Sequence, residues 1–147
     1  MKILASGFGT GYSPIAPGTA GSLLAYIILF FIPTRNFIYP VALIAFTLLA
    51  IYISDVAERV WEKDSRKIVI DEMAGAGFAT ALMPKIEWVF LVNFLMFRLL
   101  DIVKPPPANF FNKRAHGGGD VVLDDVAAGI YTNLLTWGII LLRGKLV

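Results

Sequence analysis

The chain has 147 residues, 57% hydrophobic and 16% charged, with no cysteine and a formal net charge of +2. An ordinary soluble domain is about a quarter charged. A mean hydropathy of +0.71 therefore points first to a polytopic helical membrane protein, and otherwise to a soluble, very apolar helical oligomer. The missing thiols exclude disulfides, zinc–thiolate sites and cysteine-nucleophile chemistry, and the weak net charge without a dense basic run excludes a nucleic-acid partner.

The length suits one domain with a real core. No secretory leader is expected, because the short apolar run after Lys2 gives way to glycines. Residues 6–22, SGFGTGYSPIAPGTAGS, hold five glycines and two prolines, which forbid a regular helix through most of the stretch. Its serine and threonine hydroxyls are Ser6, Thr10, Ser13, Thr19 and Ser22. One reading is a loop of backbone donors that meets an anion and leads, from Thr19 to Ser22, into a helix N-terminus. The plainer reading is a flexible entry loop.

Two apolar runs follow, Leu23 to Ile32 and Phe37 to Ile53, joined by Pro33-Thr34-Arg35-Asn36. Each is a little short of the ~20 residues that cross a bilayer, and each can be extended. A tight helical hairpin is predicted. Residues 54–67, SDVAERVWEKDSRK, alternate in sign and read as an amphipathic extension at the membrane surface. Ion pairs on a solvated helix end explain these charges without chemistry.

In IVIDEMAGAGFATALMP, residues 68–84, small residues suit a closely packed helix in lipid. Asp71 and Glu72 interrupt it. Acids beside a membrane span are costly and mark a functional site by default; a helix N-terminal cap explains one of them, not two. The next apolar helix, 86–103, carries Arg98 and Asp101 near its end. With Lys104 they lie at spacings of three, fanned over roughly a third of a helix. That pattern fits a salt-bridge ladder, and equally a metal ligand flanked by phosphate clamps.

Pro105-Pro106-Pro107 stops that helix, and 108–123 reads as a connecting segment. It carries Lys113, Arg114, the lone His116, three glycines and Asp120. His116 suits phosphate binding or proton donation, or is simply a surface histidine. Asp124 and Asp125 then open the last apolar span, Val126 to Leu142.

Helices are thus predicted over about 18–33, 37–62, 71–83, 86–104 and 124–142. The connections at 33–36 and 84–87 hold one cation each, Arg35 and Lys85. The others hold Arg59, Lys63, Arg66 and Lys67, then Arg98, Lys104, Lys113 and Arg114. By the positive-inside rule the richer connections face the cytoplasm, with both acidic clusters and the glycine-rich loop. Arg143 and Lys145 run against this if the last helix crosses fully.

Asp71, Glu72, Asp101, Asp124 and Asp125 are hard oxygen ligands, favouring magnesium over zinc. Arg98, Lys104, Arg114 and His116 are cations suited to a phosphate. Together they suit metal-assisted hydrolysis of a phosphoryl group. A lipid phosphate is the natural substrate, its acyl chains staying in the bilayer.

Three blocks in order, GTGYSPIAPGTAGS, IVIDEMAG, and FRLLDIVKPPP followed by HGGGDVVLDDVAAG, resemble the phosphatidylglycerophosphatase A family over about residues 7–130. The resemblance implies an all-helical bacterial inner-membrane enzyme, multi-pass, with its site facing the cytoplasm. It implies removal of the terminal phosphate of phosphatidylglycerophosphate with Mg²⁺, giving phosphatidylglycerol. It carries over to Asp71, Glu72, Arg98, Asp101, Lys104, Pro105, His116, Asp124 and Asp125, the five acids being expected as catalytic and metal-binding residues. Thr10, Gly11 and Thr19 of the first block join Arg98, Lys104, Arg114 and His116 as expected phosphate contacts. Gly119-Asp120 departs from the Gly-Met or similar pair expected in relatives, so Asp120 is set apart. An oligomer is compatible with all of this.

Three other readings compete. A CDP-alcohol phosphatidyltransferase needs a DG, AR, G and two-aspartate pattern that does not follow Asp71-Glu72, and a histidine-nucleophile lipid phosphatase needs more than one histidine. A non-enzymatic membrane scaffold or transporter can use buried acids as a proton relay, but it leaves the glycine loops and clustered cations unexplained.

Overall fold

The computed structural model describes residues 1–61, 65–104, 106 and 118–145, and among these there is helix but no strand. The helices are α1 (Lys2–Ala5), α2 (Pro17–Phe31), α3 (Ile38–Trp61), α4 (Ile70–Ala79), α5 (Glu87–Val103) and α6 (Gly118–Lys145), with a 3₁₀ turn at Thr10–Tyr12. The all-helical expectation holds for the described residues. The four-residue α1 is an addition to the helices predicted.

The short helix α4 is the centre of the bundle and touches α2, α3, α5 and α6. Its composition explains why. Ala74, Ala76 and Ala79 are fully buried, and a Cβ at Gly75 would strike the Asp125 backbone and the Phe97 ring. On the facing helix, a Cβ at Gly129 would strike the Gly75 carbonyl. Small residues let the backbones of α4 and α6 touch directly.

Helix α4 ends inside the protein, where its last carbonyls cannot reach water. Side chains from three other helices serve them. Asn133 Nδ2 donates to the carbonyls of Phe78 (3.2 Å), Ala79 (3.0 Å) and Ala81 (2.7 Å). Asn93 Nδ2 also donates to Ala79 O at 3.0 Å, and the Tyr39 hydroxyl donates to Gly77 O at 2.7 Å. Leu82, in a left-handed conformation with φ 61°, and Pro84 then turn the chain. This is why α4 stops at Ala79 and not at the predicted residue 83.

Helix α6 begins earlier than predicted, at Gly118, and takes in residues expected to form a connection. Two glycines favour no helix by themselves. Here the Gly118 N–H donates to Asp55 Oδ1 at 2.6 Å, and a Cβ at Gly118 would collide with Ser54 and Asp55. A contact with α3 therefore starts the helix that local propensity does not.

Helices α3 and α6 are long and apolar enough to cross a membrane, at mean hydropathies of 2.0 and 1.4, and α2 is a shorter apolar helix. Large apolar side chains point outward along the bundle, among them Val41, Ile44 and Leu48 of α3, Leu91, Leu95 and Leu99 of α5, and Leu141 and Leu142 of α6.

Candidate metal and phosphate site

The site forms where the N-terminus of α4 meets the C-terminal ends of α3 and α5 and the first turns of α2 and α6. Residues Val69 to Glu72 are set by the N-terminal segment: Val69 N donates to Ala5 O at 2.9 Å, and Val69 packs on Gly21. This points the first turn of α4, with Asp71 and Glu72, into a cleft of about 870 Å³.

Asp71, Glu72 and Asp125 each offer a carboxylate oxygen, and these oxygens all lie within 4.8 Å of one another. Asp71 Oδ1 accepts the Glu72 N–H at 3.0 Å. Gly18, in the first turn of α2, allows this closeness: a Cβ there would collide with Glu72 Oε1 and lie 3.3 Å from Arg98 Nη2. Three crowded carboxylates call for a cation.

The cations stand beside them. Arg98 Nη1 donates to Asp101 Oδ2 at 2.6 Å and to Ser22 Oγ at 3.0 Å. Lys104, whose backbone is left-handed at the end of α5, bonds Asp124. Burial draws the Lys104 ammonium down, but the Asp124 hydrogen bond and the charges of Asp125, Asp124 and Asp101 outweigh it, so its pKa lies above 10.5. Three buried polar atoms of cleft residues have no hydrogen-bond partner: Glu72 Oε2, Arg98 Nε and Ser54 Oγ. Buried polar atoms are normally satisfied, so this set marks a place for a ligand.

The structure brings together Asp71, Glu72, Asp125, Asp101, Arg98 and Lys104. Asp124, adjacent to Asp125 in sequence, faces Lys104 and stands outside the three-carboxylate group. Gly11 lines the cleft with its Cα against the Lys67 backbone. Thr10 turns its hydroxyl inward to Ser6 O and Gly7 O, and Thr19 lies in the first turn of α2 away from the cleft wall. Arg114 and His116 lie outside the described residues.

Sequence reasoning passed over one wall. Ser54, Glu58, Arg66 and Lys67 line the cleft, although alternating charge suggested a solvated helix end. The usable signal was position, since Arg66 and Lys67 immediately precede the apolar residues that lead to Asp71.

Residues 3–140 match the sequence model of a family described as phosphatidylglycerophosphatase A. The chain belongs to the phosphatidylglycerophosphatase A family. Two relatives bear that name: one from Escherichia coli K12, 34% identical over 87% of this chain and 76% of its own, and one from Haemophilus influenzae, 33% identical over 95% and 88%. A Bacteroides thetaiotaomicron relative, 36% identical over 90% of this chain and 89% of its own, is named "Putative phosphatidylinositol-3-phosphatase". No solved structure gives a significant match. For this member of the phosphatidylglycerophosphatase A family, the oxygen-only donor set fits a hard divalent cation. Asp71, Glu72 and Asp125 are the residues that would hold it.

Proposed function

We propose that the protein is a Mg²⁺-dependent lipid phosphatase, one domain embedded in the bacterial inner membrane with its cleft towards the cytoplasm. Its reaction is hydrolysis of the terminal phosphomonoester of phosphatidylglycerophosphate to phosphatidylglycerol. The observation that carries this reading is the cleft in which three mutually close carboxylates face Arg98 and Lys104. Family membership supplies the substrate class.

Each residue has a physical task. Asp71, Glu72 and Asp125 would hold the cation, which when bound would supply polarisation of the phosphate and a lowered pKa for water. Asp101 and Ser22 fix the Arg98 guanidinium, whose fork geometry suits two phosphate oxygens. Asp124 keeps Lys104 charged and in place as a second clamp. A new P–O bond forms from the attacking oxygen, the bond from phosphorus to the glycerol oxygen breaks, and that glycerol oxygen ends protonated.

The test is phosphate release in detergent with and without Mg²⁺. Asp71→Asn and Asp125→Asn are expected to lower the rate by about 10²–10⁴-fold, the range for groups acting at the reacting centre. They are also expected to abolish the Mg²⁺-induced rise in melting temperature. Full activity in both variants would sink the site assignment. The name of the Bacteroides relative supports a second substrate, phosphatidylinositol 3-phosphate. Faster release from that lipid than from phosphatidylglycerophosphate would replace the substrate and keep the site.

A further inference from the structure

Helices α2 and α5 run antiparallel, and their register is fixed by paired contacts down the interface. Ser22 meets Arg98 at the cleft, Tyr26 stacks edge-on against Phe94 (ring centroids 5.2 Å apart), and Phe30 against Phe90 (5.1 Å). Outside this seam lies a second cavity of about 420 Å³. Tyr26 and Phe90 form its floor, and the exposed side chains of Leu23, Ile27, Phe31 and Leu91 form its rims. Its polar groups are few. The Tyr26 hydroxyl is committed to Asn93 Oδ1 at 2.6 Å, and Glu87 sits at the far end.

The groove starts where the phosphate site stops. Leu23 follows Ser22, and Phe94 lies one helical turn before Arg98. From Leu23 to Phe31 the groove runs about 12 Å at 1.5 Å per residue. That is close to the depth of one leaflet, half of a ~30 Å hydrocarbon core. We propose that this α2/α5 groove is the acyl-chain subsite of the lipid whose phosphate binds at Arg98, so that one chain lies along Tyr26 and Phe90 while the headgroup enters the cleft. The inference rests on the lipid-phosphatase reading above. Bilayer lipid with no headgroup at the site is the competing occupant.

Two measurements on the full chain in nanodiscs test it. In the first, Ile27→Trp and Leu91→Trp fill the groove, and kcat/KM is compared between dioleoyl and dihexanoyl phosphatidylglycerophosphate. The long-to-short ratio is expected to fall about tenfold, the effect of excluding roughly two methylenes from an apolar site. The same substitution at Leu48, an outward residue of α3, leaves the ratio unchanged. An unchanged ratio in both groove variants overturns the proposal. In the second, phosphatidylglycerophosphate with a photoreactive acyl chain is cross-linked and the sites are mapped. Labelling of residues 23–31 and 87–94 is expected to be suppressed by excess unlabelled phosphatidylglycerophosphate and not by phosphatidylcholine. Equal suppression by both identifies bulk lipid and overturns the proposal. Wild-type phosphate release is read separately: its absence defeats the enzymatic reading, while the cross-linking still decides the groove.

Discussion

Lys104 and Asp124 show how much a single buried contact decides. Asp124 is only 1% exposed, and Lys104 supplies its ammonium partner. Removing one partner of a fully buried pair costs about 3–5 kcal/mol, whereas replacing both with apolar groups is often nearly neutral; Lys104 keeps 29% of its side chain exposed, so a smaller loss is expected here. Lys104→Met is therefore expected to lower the melting temperature, and Lys104→Met with Asp124→Leu to recover part of the loss. Thermal unfolding of the four proteins of that cycle checks it. Adjacent aspartates were legible in the sequence, but their division of labour was not: side chains one residue apart on a helix point about 100° apart, and only packing decides which faces Lys104. Lys85 gives the pH counterpart. Its ammonium lies 4.8 Å from the centre of the Phe90 ring and bonds Leu29 O, and burial lowers its pKa to about 8 from 10.5. Between those values this lysine binds more protons in the unfolded chain than in the folded one, so its own contribution to stability rises with pH across that window. Lys85 therefore adds a rising component to the unfolding midpoint between about pH 8 and 10.5, read as the difference between wild type and Lys85→Met over that window.

At the scale of elements, α4 has the largest consequences for its size. Its N-terminus carries Asp71 and Glu72, and its buried C-terminus is capped by Asn133, Asn93 and Tyr39. A ten-residue helix of this kind has marginal stability alone, so the carboxylates stay in place because α6 and α3 hold the whole element. The α4–α6 crossing can be tested through glycine. At Gly129 a Cβ would drive into the Gly75 backbone, while at Gly138 nothing lies within 4 Å. Gly129→Ala is expected to destabilise by about 1–3 kcal/mol or more, the cost of overpacking. Gly138→Ala is expected to be neutral or to stabilise by up to about 1 kcal/mol through helix propensity. Equal melting temperatures for the two variants would contradict the crossing. The sequence pattern made α4 legible as a small-residue helix, because its alanines and glycines are local information. The start of α6 was not legible, because it depends on Asp55, a residue far away in sequence and reached only in the folded bundle.

At the scale of the whole molecule, the question is how charge is divided between the two ends of the bundle. The cleft end carries Arg59, Arg66, Lys67, Arg98 and Lys104, and Lys2 sits there over Trp61. The far end carries Arg35, Lys85 and Arg143, whose guanidinium lies 4.4 Å from the centre of the Trp88 ring. Arg143 therefore belongs to the less basic end, as the sequence pattern feared, yet the bias still favours the cleft end. By the positive-inside rule the cleft is expected on the cytoplasmic side and the Asn36 turn on the opposite side. The absence of cysteine from the sequence makes this directly measurable. Ser65→Cys, on the cleft wall, and Asn36→Cys, at an exposed turn between α2 and α3, each introduce a single thiol. In sealed, right-side-out vesicles an impermeant maleimide is expected to label Asn36→Cys and to reach Ser65→Cys only after the membrane is permeabilised. The reverse pattern would invert the topology. Labelling of both before permeabilisation would mean that α3, which links the two ends, does not cross the bilayer. The outward apolar faces of Val41, Ile44 and Leu48 would then have to be covered by another protein surface.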